Sequence, residues 1–166
     1  LPEVTTFTTN GSELDDEGVR QLVNFKNLTV LTFFHPSRNF TGAGLADLAV
    51  LPKLEGLSVG GSSAFRNEGL AAVGKLSHLK NVRVWHCNID SRGLAFLKEL
   101  KDLRSIMVSY NPPARFDGDA LAILSSIQSL ESISLSEARL SVADLSQLKQ
   151  LPALTRLTLA GIDMPE

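Results

Sequence analysis

The sequence holds a single cysteine, Cys87, so no disulfide can form within the chain and redox compartment is left unread. Tryptophan and tyrosine also occur once each, as Trp85 and Tyr110. Neither charge sign dominates: 16 Lys and Arg stand against 18 Asp and Glu, for a net charge of −2. That balance speaks against a nucleic-acid partner, which requires a strongly basic face. No apolar run approaches the roughly 18–20 residues that span a bilayer, so membrane insertion is not expected. There is no signal-peptide pattern, and the first residue is Leu1 rather than Met, which fits an upstream segment cut away. What is abundant is apolar side chain, 43% of 166 residues, enough for one domain with a true core.

Those apolar residues recur with a period. The unit "apolar, two residues, apolar, one residue, apolar" appears as Val4–Phe7–Thr9, Leu28–Leu31–Phe33, Leu54–Leu57–Val59 and Leu79–Val82–Val84. It continues as Leu103–Ile106–Val108, Leu130–Ile133–Leu135 and Leu154–Leu157–Leu159. The middle residues are 24, 26, 25, 24, 27 and 24 positions apart. Only the first copy departs, with Thr9 in an apolar slot. Alternation of this kind is the period of a β-strand.

Between the copies lies a second unit, with apolar residues spaced for one face of a helix. Its examples are Leu14-Asp15…Gly18-Val19…Leu22, Phe40-Thr41…Gly44-Leu45…Leu48, Phe65-Arg66…Gly69-Leu70…Val73 and Ile89-Asp90…Gly93-Leu94…Leu97. In the last two, Phe116-Asp117 and Leu140-Ser141, Ala120 and Asp144 replace the glycine. Asp15, Thr41, Asp90, Asp117 and Ser141 sit where a side-chain oxygen caps free backbone N–H groups, whereas Arg66 offers none. The apolar residue before each cap reads as a hydrophobic staple. The glycines at 18, 44, 69 and 93 match no phosphate loop and are read as sites of close helix packing. Period variation is confined to the strand-to-staple loop, with extra residues near Ser37–Asn39, Ser63–Ala64 and Pro112–Arg115. A stacked solenoid accepts insertions there because its core cannot.

The stretch Val82-Arg83-Val84-Trp85-His86-Cys87-Asn88-Ile89 resembles the leucine-rich-repeat pattern L-x-L-x-x-[N/C]-x-L, and Ile106-Met107-Val108-Ser109-Tyr110-Asn111 supplies the alternative Asn. Asp16-Glu17-Gly18-Val19, Asn67-Glu68-Gly69-Leu70 and Ser91-Arg92-Gly93-Leu94 resemble the "T-D-x-G-L" helix starts of a bacterial branch related to cysteine-containing repeats. The other units depart at the Asn/Cys slot, which holds Ser12, Pro36, Ser62, Ala138 and Ile162, so their turns must satisfy backbone groups by other means. The expected architecture is α/β: a right-handed leucine-rich-repeat solenoid, horseshoe-shaped, whose parallel concave sheet has about seven strands with short helices on the convex side. Residues 1–166 form one domain of seven repeats of 24–27 residues. Neither end carries a polar cap, which suggests a piece of a longer chain or self-association through the ends. The resemblance implies an interaction scaffold, not a particular ligand.

The outward strand slots are mostly small and polar, and repeats 2, 4 and 5 break that background with Phe34, His35, Arg83, Trp85, His86, Met107 and Tyr110. Exposed Trp, Tyr and Arg are the residue types that anchor interfaces. Repeat 3 between them has Gly56, Gly60 and Gly61. Two readings follow: Phe34 and Trp85 stand roughly 10 Å apart as walls of a slot over a glycine floor, or both pack beneath the inserted loops. His86, Tyr110 and Glu137 share one slot on neighbouring strands, with Ser109 and Ser136 alongside, so a hydrolase using His86 and Glu137 is the catalytic alternative. No catalytic sequence signature accompanies that row. His35 and His86 lie two strands apart, too far for one zinc, and His78 falls in a turn. Cys87 occupies the inward slot and reads as a buried thiol. Asn27-Leu28-Thr29 and Asn39-Phe40-Thr41 fit a glycosylation sequon. The sequence therefore reads as a non-enzymatic recognition scaffold with no cofactor or metal, binding an unknown protein or extended ligand through those residues and Glu137. A structural spacer or self-assembly segment is the other non-catalytic reading.

Overall fold

The computed structural model describes residues 3–111 and 116–164; the insertion read near Pro112–Arg115 lies outside them. Each repeat contributes one five-residue strand: β1 (Thr6–Asn10), β2 (Val30–Phe34), β3 (Gly56–Gly60), β4 (Asn81–Trp85), β5 (Ser105–Ser109), β6 (Ser132–Ser136) and β7 (Arg156–Ala160). They form one open parallel sheet in sequence order, and each strand pairs only with its sequence neighbours. Phe7, Leu31, Leu57, Val82, Ile106, Ile133 and Leu157 pair in a single row, as the repeat spacing requires. Parallel neighbours need a crossover, and a loop with a short helix supplies it each time.

The helices are α1 (Asp16–Arg20), α2 (Asn67–Val73), α3 (Ser91–Leu94), α4 (Gly118–Ser125) and α5 (Val142–Ser146), with 3-10 turns following α1, α3 and α5. Repeat 2 uses a 3-10 helix throughout, Ala43–Val50. Asp15, Asp90 and Ser141 cap as expected, and Ser141 and Asp144 form a reciprocal capping box. Arg66 makes no cap bond. Two expectations need correction. Residue 42, not Thr41, is the cap position of the repeat-2 helix, in a left-handed conformation that glycine adopts readily. Asp117 does not cap α4; its carboxylate instead accepts from Ser91 Oγ at 2.9 Å.

That exchange belongs to a ladder running along the helical side. Asp16 reaches from repeat 1 to repeat 2, accepting from Thr41 Oγ1 at 2.6 Å and from the N–H groups of Thr41, Gly42 and Gly44. Asn67 bonds both the carboxylate and the N–H of Asp90 in the next repeat. The Arg92 side chain and Asn67 together hold the Asp90 carboxyl down to about 2. The first helical residue of one repeat thus ties down the start of the next, satisfying donors that a short helix leaves open.

The core is one continuous cluster of strand and helix side chains. Loop length and side-chain size vary together within it. Repeats 2, 3 and 5, whose loops hold extra residues, place Phe40, Phe65 and Phe116 at the staple position, each at most 1% exposed. Repeats 1, 4 and 6, without extra residues, place Leu14, Ile89 and Leu140 there. A longer loop encloses a wider cross-section, and close packing demands a larger group to fill it. Phe7, Phe33, Phe40 and Phe65 form a run of ring contacts, with centroids 5.0–6.3 Å apart. Thr9 is the flaw in the pattern: its hydroxyl is buried without a hydrogen-bond partner.

The Asn/Cys slot behaves as its chemistry requires. Asn111 Oδ1 accepts from the Cys87 N–H at 2.9 Å and its amide donates to Ser109 O. In repeat 3, Ser62 substitutes, donating to Phe40 O and accepting from Phe65 N. Cys87 is buried, and burial pushes its thiol up to about 11. The protonated thiol is the form the fold prefers. Stability is therefore intact below the ordinary thiol range near 9 and falls as pH rises through 11. A thiol reagent at pH 8 is expected to leave the native chain unmodified and to react fully after unfolding in denaturant; rapid modification of the native chain would contradict this burial.

Candidate binding face

Because the helices cover one side of the sheet, the other side is free. Three residues of each strand point to it, and parallel register aligns them in rows. One row runs Thr6, Val30, Gly56, Asn81, Ser105, Ser132, Arg156; the next runs Thr8, Thr32, Ser58, Arg83, Met107, Ser134, Thr158. The third begins Asn10, Phe34, Gly60, Trp85, Ser109.

Just past each strand, the backbone turns through a left-handed residue. Gly11, His35, Gly61, His86, Tyr110, Glu137 and Gly161 all have positive φ, between 46° and 72°. The N–H groups of Gly11, His35, Gly61, His86 and Glu137 continue the sheet's hydrogen bonding, as in His35 N to Gly60 O and Glu137 N to Ala160 O. Three repeats fill this position with glycine. The other four place a side chain there, although the left-handed conformation costs an ordinary residue about 1–2 kcal/mol. His, Tyr and Glu side chains are thus held at the edge of the free face against local backbone preference, and such strain concentrates at functional positions.

The expected slot between Phe34 and Trp85 is not open. Their rings stack on each other, with centroids 5.8 Å apart and planes inclined by 30°. The indole lies across Gly60, where a Cβ would overlap it, and His35 lies across Gly61 in the same way. His35 also packs on Phe34 at 4.2 Å. The bare β3 strand that was to be the floor of a slot lets the flanking rings lean in and meet. The result is a half-buried aromatic platform rather than two walls.

The remaining predicted residues separate into two groups. Arg83 is exposed beside half-buried Met107 in the middle row. His86 and Tyr110 meet at 4.7 Å between ring centroids, and Tyr110 is 51% exposed. Glu137 directs its carboxylate over Gly161, toward the following turn. The His86–Tyr110–Glu137 row is therefore an adjacency of positions; His86 and Tyr110 pair, and the carboxylate points onward. Among the described residues, no group of three or more His, Cys, Asp or Glu is arranged to hold a metal ion. No helix among them is long and apolar enough to cross a membrane.

A feature missed by the sequence reading is a depression of about 380 Å³ over the first half of β3. Gly56 and Ser58 form its floor, Val30 and Thr32 one side, Asn81 and Arg83 the other. The signal lay in the first outward position of each strand, where Gly56 sits between Val30 and Asn81.

An open seven-stranded parallel sheet, one strand per repeat and helices on one side only, is the leucine-rich-repeat fold. No family model matches the chain, and no curated protein matches it. Among solved structures it is similar to the plant peptide hormone receptor RGFR1 in complex with RGF2, with TM-score 0.52 and 10% identity over 99% of this chain and 37% of that one. It is also similar to the internalin InlF from Listeria monocytogenes, with TM-score 0.47 and 14% identity over 100% of this chain and 64% of that one. The chain thus spans less than two thirds of either neighbour.

Proposed function

We propose that this chain is a non-catalytic recognition scaffold that binds a protein or peptide segment on the free face of the sheet, centred on β2 to β5. The observation that carries this reading is the left-handed row. His35, His86 and Tyr110 occupy positions where glycine is favoured, next to the Phe34–Trp85 platform and exposed Arg83. A fold needing only to be stable would keep glycine there, as repeats 1, 3 and 7 do. The peptide hormone receptor among the structural neighbours accords with a peptide-binding role. The helix starts at Asp16, Asn67 and Ser91 support placing the chain in the bacterial branch of such repeats.

Selection of a displayed random-peptide library on the immobilised chain tests the reading. Enrichment of a consensus peptide is expected, with affinity for that peptide reduced at least about tenfold by Trp85→Ala, the loss of one anchor residue. Half-buried Trp85 contributes modestly to stability, so the melting temperature should fall by only a few degrees. A collapse of stability with no selectable ligand would make the aromatic cluster a packing device and sink the proposal.

A further inference from the structure

The charges on the free face are distributed unlike those of the chain. Of its 21 outward strand positions, two are arginine, Arg83 and Arg156, ten are Ser or Thr, and none is Asp or Glu. The rest of the chain carries 18 acidic against 14 basic residues. Acids at the strand starts, outside the three rows, are already engaged: Glu55 pairs with Lys80 at 2.6 Å and Glu131 with Arg104 at 2.8 Å. Glu137 lies beyond the strand ends, over Gly161.

Arg83 stands where this polarity meets a shape. It borders the 380 Å³ depression, with the hydroxyls of Thr32 and Ser58, the Asn81 amide and the exposed Val30 around it. Arg83 has no carboxylate partner among the described residues, unlike Arg20, Arg92 and Arg104. The aromatic platform lies next to it, Trp85 being two residues along the same strand. A free guanidinium with flanking hydroxyl donors suits a carboxylate, which it can take in two parallel hydrogen bonds. The glycine floor lets a main chain approach, and the stacked rings offer an apolar surface one residue pair further on.

Resting on the recognition reading above, we infer that the ligand is an extended acidic peptide segment. Its Asp or Glu carboxylate seats on Arg83 over Gly56 and Ser58, and a neighbouring apolar side chain lies on Phe34 and Trp85. Complementary charge across such a face guides encounter and suppresses basic partners.

Fluorescence polarisation on the full chain tests this with three labelled peptides of equal length: Glu-rich with one Leu or Phe, the same peptide with Gln for Glu, and the same with Lys for Glu. The Glu peptide is expected to bind at least about tenfold more tightly than the Gln peptide, and the Lys peptide not at all. Raising salt from about 0.05 to 0.5 M should weaken the Glu complex, because these exposed charges are screened. Arg83→Glu should remove the preference for Glu over Gln at unchanged melting temperature, since Arg83 is exposed. Equal binding of all three peptides, lost in Trp85→Ala, would overturn the charge assignment while leaving recognition on this face intact. An acidic preference that persists in Arg83→Glu would overturn the seat proposed for the carboxylate. Absence of any peptide binding would overturn the inference together with the reading beneath it. Tighter binding of a single-stranded oligonucleotide than of the Glu peptide would overturn the peptide assignment.

Discussion

Replacing Gly44 by alanine is expected to lower the stability of this chain by about 3 kcal/mol, at the upper end of what overpacking a close contact costs. Gly44 is buried in the 3-10 helix of repeat 2, and a Cβ there would overlap the carbonyl oxygen of Asp16 in repeat 1. The obstacle is backbone, so no rotamer change relieves it; the start of α1 must move. That movement pulls the Asp16 carboxylate from Thr41 and Gly42, so one methyl group breaks both the packing and the first rung of the ladder between helix starts. For a chain of this length the melting temperature should drop by roughly 6–12 °C. Hydrogen exchange should show amide protection lost first in repeats 1 and 2, because solenoid repeats couple only to their neighbours. Wild-type stability in Gly44→Ala would mean that the two helices do not approach this closely.

The second large effect is expected from Phe40→Ala. Phe40 is fully buried, 5.0 Å from Phe33 and stacked nearly parallel to Phe65 at 6.0 Å. Truncation leaves a cavity between two repeats whose backbones are fixed by the sheet, so little collapse can fill it. A loss of about 3–5 kcal/mol follows, and denaturant unfolding should show it as a shifted midpoint. Phe40→Leu should lose much less, since most of the volume stays. If Leu and Ala cost the same, the site is governed by ring contacts and not by volume. If neither shifts the midpoint, the staple position carries no packing load.

The sheet was legible in the sequence because its information is periodic. Seven copies of one spacing place Phe7 and Leu157 in the same row, and any slip would turn a strand's apolar residues outward. Helix position was legible for the same reason, but helix type was not. Residues 43–50 form a 3-10 helix, whereas Asn67–Val73 of the next repeat, with the same spacing of apolar residues and glycine, form an α-helix, so the local pattern does not encode the difference. Asp117 is a similar case: its oxygen had two donors to choose from, its own helix or Ser91, and only the stacked structure decides.

The candidate face was legible in composition and not in shape. Phe34, Arg83 and Trp85 were recognisable as exceptions among small polar residues. Strand spacing alone set the Phe34 and Trp85 backbones two strands apart, yet side chains lean, and Gly60 between them removed the only obstacle to their meeting. The left-handed row carried a readable sign: glycine in three of seven equivalent positions marks a backbone requirement. With that requirement recognised, the His86–Tyr110–Glu137 row is a line of turn residues before it is anything chemical.

The pairing of loop length with staple size has a consequence for how such a chain can change. Lengthening a turn alone opens a void, and enlarging the staple alone produces a clash, so either step by itself is penalised. Leu14, Ile89 and Leu140 mark the repeats where neither step has been taken; Phe40, Phe65 and Phe116 mark those where both have. Remodelling the edge of the sheet therefore requires an insertion coupled to a substitution at the staple, one repeat at a time, with strand register undisturbed. A loop and its staple can thus change together without altering any residue in the three rows of the free face.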